Sequence, residues 1–172
     1  MAQKGYIHIY TGNGKGKTTA AFGLAVRMLC ADKRVYIGQF VKSMKYHETR
    51  IEEIFEGVRI EQYGRGCFLD HHPDQQDIAQ AKAGLARIGE VLRSGAYDLV
   101  VLDEVTIALY FGLLSEDEVL AVLDARHERV EVVLTGRYAS QRLIDRADLV
   151  TQMQEVKHYY QQGVEARDGI ER

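Results

Sequence analysis

The chain has 172 residues, 46% of them apolar and 27% charged, with a formal net charge of −3. That composition suits one globular domain over residues 1–172 with a substantial core. It gives no electrostatic case for a nucleic-acid partner, and no apolar run approaches the roughly 18 residues of a membrane span. Cys30 and Cys67 are spaced as neither a metal knuckle nor a disulfide framework, and a polar start precedes the first strand with no signal peptide, so the expected location is cytoplasmic.

Tyr6–Tyr10 reads as the first strand. It runs directly into Gly12-Asn13-Gly14-Lys15-Gly16-Lys17-Thr18-Thr19. Glycines let the backbone curl so that several N–H groups face one point. The next helix, from Lys17 to about Cys30, adds unpaired amides and the positive end of its dipole. Lys17 adds a charge, and Thr18 a hydroxyl placed to meet Mg²⁺. The strict pattern asks for a further glycine where this chain has Thr11, and Gly12, Gly14 and Gly16 replace its freedom. The segment is a polyphosphate cradle, so a nucleoside triphosphate is the expected ligand. Arg27, ten residues past Lys17, points either back toward the site or into solvent.

Arg34–Val41 is the second strand, and Gln39, Lys42 and Ser43 at its end either touch ligand or begin a loop. A helix is expected over about 48–55 and a weaker strand over Val58–Tyr63. Gly64-Arg65-Gly66-Cys67-Phe68-Leu69-Asp70 forms a second glycine-bearing loop, in which Phe68 either offers an apolar face to a ligand or packs beneath the next helix. His71 and His72 have no third ligand at obvious spacing, so a transition-metal site is not expected. The helix Asp74–Arg93 follows.

Asp98–Asp103 is a continuously apolar strand that ends in two acids, Asp103 and Glu104. Beside a phosphate loop, such acids help to hold Mg²⁺. The alternative is that Asp103 caps the helical stretch Val105–Phe111. Ser115-Glu116-Asp117-Glu118 is a capping box that starts a helix running to about Arg126. Val130–Thr135 is the fifth strand, and Arg137 after it reaches either a phosphate or solvent. A helix over Ser140–Arg146 and a sixth strand over Leu149–Val156 complete the pass. Strand–helix alternation with strands apolar on both faces predicts a three-layer α/β fold with a mostly parallel sheet. Ligands then sit beyond the carboxyl ends of the strands, where the phosphate loop, Lys42, Asp103, Glu104 and Arg137 should share one crevice. No Ser-His-Asp arrangement or nucleophilic cysteine setting is legible.

These residues together resemble the ATP:corrinoid adenosyltransferases of the cobalamin pathway, almost end to end. The resemblance rests on Thr11–Gly23, Gln39-Phe40-Val41-Lys42, Leu102-Asp103-Glu104, Leu113-Leu114, Val133–Arg137 and Ala147–Thr151. Its most specific part joins Glu155-Val156-Lys157-His158 to Gly163–Ala166 and Gly169-Ile170-Glu171. It implies a RecA-like sheet, Mg²⁺ or Mn²⁺, a homodimer, and an electron donor such as a reduced flavoprotein. The implied reaction moves the 5′-deoxyadenosyl group of ATP to Co(I) of a corrinoid and releases triphosphate. Carried onto this chain, Gly12 to Thr19 hold the triphosphate, with Lys17 central. Thr18 with Asp103 or Glu104 positions the metal, Arg137 is a further phosphate contact, and Arg27 and Phe68 complete the binding set. Some relatives have Phe and Trp in the loop after the third strand, where this chain has Cys67, Phe68 and Leu69. The reaction explains why no catalytic dyad is visible: Co(I) is itself the nucleophile, so no base has to deprotonate the attacking group. The rival readings are a P-loop ATPase or nucleoside kinase, and an ATP-gated corrinoid carrier without turnover.

Overall fold

The computed structural model describes residues 4–42, 44, 46–65 and 73–171. Six strands form one sheet: β1 (Ile7–Thr11), β2 (Val35–Phe40), β3 (Val58–Tyr63), β4 (Leu99–Asp103), β5 (Glu131–Thr135) and β6 (Leu149–Gln152). Their order across the sheet is β3-β2-β4-β5-β1-β6, and every pairing is parallel. Parallel neighbours need long crossovers. Helices supply most of them: α1 (Lys17–Leu29), α2 (Gln75–Ser94), α3 (Val105–Tyr110), α4 (Glu116–Asp124) and α5 (Gln141–Arg146). This is an α/β P-loop fold of RecA-like kind.

Side chains alternate across a strand, so each strand feeds two layers. On one face Val35, Ile37, Leu99, Val101 and Val133 pack with Ala21, Phe22, Ala25 and Leu29 of α1. On the other, Tyr36, Phe40, Val100, Leu102, Val132 and Leu134 meet α2 through Leu85, Ile88 and Leu92, and α4 through Val119 and Leu123. β4 lies in the middle and is buried along its whole length. Two helix starts are fixed by reciprocal caps, Asp74 with Asp77 before α2 and Ser115 with Glu118 before α4.

Two elements depart from expectation. Residues His47–Glu53 form a 3-10 turn in place of an α-helix, because the segment buries only Thr49 and Ile51 and has too short an apolar face to hold a longer helix. β6 stops at Gln152, four residues before Val156. There the chain leaves the sheet to cross the phosphate loop, with the Met153 amide donating to the Thr11 carbonyl at 2.8 Å and the Gly14 amide to the Met153 carbonyl at 2.8 Å. Among the described residues no helix is long and apolar enough to cross a membrane.

Candidate active site

Alternation along the strands decides what faces the phosphate loop. Gln39 pairs in register with Asp103, and Leu102 with Leu134. Gln39, Asp103 and Thr135 therefore stand on the α1 side at the carboxyl ends of β2, β4 and β5. The phosphate loop follows β1, on the far side of β5 from β4.

The loop is shaped by close backbone approach. Gly12 and Gly16 have φ of 99° and 115°, in the left-handed region. A Cβ at Gly12 would lie 2.3 Å from the Met153 carbonyl oxygen, and one at Gly14 2.9 Å from the backbone of residues 153–154. Gly16 stands at the N-cap of α1 and has no side chain to close it. The first helical bond is Ala20 N–H to the Gly16 carbonyl, at 2.7 Å. The amides of Lys17, Thr18 and Thr19 precede that bond and are free for an anion. Lys17 is buried and donates to the Gly14 carbonyl at 2.7 Å. Burial holds its ammonium below the usual lysine range, Glu104 opposes this, and Arg137 adds to the lowering.

Asp103 is fully buried and its two oxygens take four donors. Oδ1 accepts from the hydroxyls of Thr18 (2.8 Å) and Thr135 (2.7 Å), and Oδ2 from Gln39 Nε2 (3.0 Å) and Lys42 Nζ (2.7 Å). Burial alone would raise its carboxyl, but the Lys42 charge and these hydrogen bonds hold it below the usual carboxylate range. The same pair acts oppositely on Lys42: burial would lower the ammonium, and Asp103 holds it above its ordinary value. Asp103 is thus not a helix cap. The N-cap of α3 is Glu104, which makes no side-chain capping bond.

Glu104 has φ of 60°, and its amide donates to the Thr135 hydroxyl at 2.9 Å. Its carboxylate lines the cleft and makes no hydrogen bond among the described residues. Burial first, and Asp103 second, push it above the usual glutamate range. Of the four non-glycine residues with positive φ among the described residues, Val41, Glu104 and Tyr138 lie just past β2, β4 and β5. Such conformations cost about 1–3 kcal/mol each. Their concentration at one end of the sheet marks where the chain bends to present Lys42, Glu104 and Arg137. Arg137 is held from behind: its carbonyl accepts from buried Thr106 Oγ1 at 2.6 Å, and the Gly136 amide donates to the Tyr10 carbonyl at 3.2 Å.

Two joined clefts open here. One, of about 360 Å³, is lined by the phosphate loop, Lys17, Arg137 and His158. The other, of about 500 Å³, runs between Phe22, Lys42, Tyr46 and Glu48. They share Thr18, Thr19, Glu104, Ile170 and Glu171. The structure therefore brings Gly14, Lys15, Gly16, Lys17, Thr18, Thr19, Asn13, Glu104 and Arg137 to one place, with Gly12 at the loop's start and Asp103 beneath. It does not bring Arg27 there: that residue is exposed in the last turn of α1, about 15 Å along the helix from Lys17. Phe68, with its neighbours Cys67 and Leu69, lies outside the described residues. Gln39 and Lys42, left open between ligand and loop, are partners of Asp103. Thr135 stands in the sequence only within the Val133–Arg137 stretch of the resemblance, with no role of its own, and Thr106 only as a threonine in an apolar helix. Glu171 at the cleft wall was legible only through the resemblance, as the end of Gly169-Ile170-Glu171.

The arrangement can bind a polyphosphate and a hard cation. Thr18 and Glu104 offer only oxygens to the cleft, which suits Mg²⁺ or Mn²⁺ and not a soft metal, whereas both oxygens of the expected ligand Asp103 already accept from four donors. Among the described residues, no group of three or more metal-binding histidine, cysteine or acidic side chains is gathered.

Residues 3–172 match the family model described as ATP:corrinoid adenosyltransferase BtuR/CobO/CobP. The chain is similar to a corrinoid adenosyltransferase of Pseudomonas aeruginosa, 37% identical over 171 residues, or 98% of this chain and 84% of the relative. A corrinoid adenosyltransferase of Escherichia coli K12 is 33% identical over 169 residues, or 98% of this chain and 86% of that one. The corrinoid adenosyltransferase CobA of Salmonella typhimurium is 35% identical over the same shares of both chains.

Proposed function

The chain belongs to the ATP:corrinoid adenosyltransferase family, and we propose that it attaches the 5′-deoxyadenosyl group of ATP to Co(I) of a corrinoid within the cleft just described. Co(I) attacks C5′, a Co–C bond forms, and cobalt becomes Co(III). The C5′–O bond breaks and its electron pair leaves on the intact triphosphate. The protein's task is to hold the leaving group and aim C5′. Lys17, the amides of Lys17 to Thr19 and Arg137 bind the triphosphate, and the cleft from Phe22 to Glu48 receives the remainder of the reactants.

The observation that carries this reading is the phosphate loop of Gly12 to Thr19 opening, with Lys17 and Arg137, into a second cleft, in a chain whose residues 3–172 match the adenosyltransferase family model.

Mg²⁺ or Mn²⁺ fits the oxygen donors, and when bound it would neutralise part of the triphosphate charge. Glu104 and the Thr18 hydroxyl are the groups to hold it. The oxygens of Asp103 are already taken by four donors, so Asp103 acts by aligning Thr18. The reading extends to a homodimer, supported by exposed Leu149, Val150, Val156 and Tyr160 on and after edge strand β6. It includes a reduced flavoprotein as the electron source, since Co(II) has to gain an electron before it is nucleophilic. A cytoplasmic setting suits the exposed free thiol of Cys30.

The test is anaerobic incubation with ATP, Mg²⁺ and chemically reduced corrinoid. A light-sensitive Co–C absorption spectrum together with one triphosphate per turnover is expected. Release of inorganic phosphate, transfer of phosphate to a hydroxyl, or ATP binding without any product would replace it with the hydrolase, kinase or carrier reading.

A further inference from the structure

After crossing the phosphate loop at Met153, the chain runs over residues 154–168 with almost every side chain exposed. It returns at Gly169–Glu171 to form a wall of the 500 Å³ cleft. Apolar burial does not draw it back, since Ile170 is 54% exposed. Polar contacts do. Lys15 Nζ donates to Glu171 Oε1 at 2.6 Å and to Tyr159 Oη at 2.9 Å. Tyr159 Oη donates to the same carboxylate, and the Arg167 amide (2.9 Å) and Nε (3.3 Å) reach its other oxygen. Lys15 and Arg167 also lie over the Tyr159 ring, at 5.6 and 5.0 Å from its centroid. The two lysines of the phosphate loop thus have different partners. Lys17 turns inward onto the loop, and Lys15 turns outward onto the returning segment.

We infer that Glu171 is a positioning residue for adenosyl transfer: through Lys15 it fastens the cleft wall at residues 169–171 to the phosphate loop. This rests on the functional reading of the cleft given above. The wall's place is set by the loop that holds the triphosphate, so the reactants beyond the phosphates meet a closed cleft only while the clasp holds. The triphosphate cradle itself, made by Lys17 and the α1 amides, does not depend on it.

Glu171→Ala is expected to lower kcat/KM for adenosyl transfer about tenfold, the size of one charge-assisted hydrogen bond. The inhibition constant of inorganic triphosphate should stay within about twofold, and the melting temperature within about 2 °C, as for a contact on an exposed segment. Trypsin should cut faster at Lys157 and Arg167. Glu171→Gln, which keeps an acceptor for Lys15 and Tyr159, should fall between wild type and Glu171→Ala. The double variant Lys15→Ala/Glu171→Ala should lose no more kcat/KM than the worse of its two single variants, because both remove one contact. Unchanged kcat/KM and unchanged proteolysis in Glu171→Ala would overturn the inference. So would a parallel loss of triphosphate affinity, which would make Glu171 a support of the cradle, or losses that multiply in the double variant. If the wild-type protein forms no Co–C bond, the functional reading fails instead, and the proteolysis and triphosphate arms still decide the clasp.

Discussion

Lys42→Met isolates the electrostatic centre of the site. Asp103 is completely buried, and Lys42 Nζ, 2.7 Å away, is the cation that touches it. The substitution keeps the length of the apolar stem and removes the charge. The Thr18, Thr135 and Gln39 donors remain, so the carboxylate stays hydrogen-bonded but loses its counter-charge. Breaking a buried pair from one side costs about 3–5 kcal/mol. For a chain of this size each kcal/mol moves the melting temperature by about 2–4 °C, so a drop of about 6–20 °C is expected. Calorimetry or far-UV circular dichroism without nucleotide would measure it. The pH dependence adds a second readout. In the wild type the depressed Asp103 carboxyl contributes stability that is present above its unfolded value near 3.9 and is lost as pH falls through the lower folded value. The raised Lys42 ammonium contributes stability present below its unfolded value near 10.4 and lost as pH rises through the higher folded value. In Lys42→Met burial is unopposed by a charge and lifts the Asp103 carboxyl, so the deficit should shrink as pH falls from about 7 toward 4. Lys42→Met/Asp103→Asn should regain most of the loss at neutral pH. A Lys42→Met protein that melts within about 2 °C of wild type at pH 7 would show that the three neutral donors alone hold the charge, and the argument would be refuted.

Lys17→Ala should keep the fold, because among the described residues its ammonium hydrogen-bonds the Gly14 carbonyl alone, yet lose about 10- to 150-fold in triphosphate affinity or rate, the equivalent of one charge-assisted phosphate contact. A folded variant with wild-type turnover would remove Lys17 from the cradle. Glu104→Gln should raise the Mg²⁺ concentration for half-maximal rate with little change in melting temperature, whereas Asp103→Asn should lower the melting temperature by disturbing its four-donor network; the reverse pattern in metal titrations and melts would exchange the two roles. Gly136→Ala should weaken triphosphate binding and cost at least about 1–3 kcal/mol, because φ is 131° and the new Cβ would sit 2.2 Å from the Thr106 hydroxyl. Inhibition by triphosphate and thermal melts would check both effects.

The nature of each element is written locally in this sequence. Alternation of apolar strands with helices set the layer architecture, Gly12 to Thr19 announced the phosphate cradle, and Ser115 with Glu118 set a helix start, because turn geometry, periodicity and capping act over a few residues. The helix expected near residues 48–55 is a 3-10 helix over His47–Glu53, and its form was not legible because a short segment with two buried residues carries too little information to choose between helical forms. What lies between β1 and β4 was not local. The placing of β5 between them puts Thr135 where its hydroxyl links Asp103 to the Glu104 amide, and strand order depends on packing across the whole sheet. The sequence presented Asp103 and Glu104 as two adjacent acids. Only the tertiary structure separated them, by burying one among four donors and leaving the other facing the cleft. Glu171 and Lys15 stand 156 residues apart, and no periodicity or propensity spans that distance; their meeting is fixed by where β6 releases the chain against the phosphate loop.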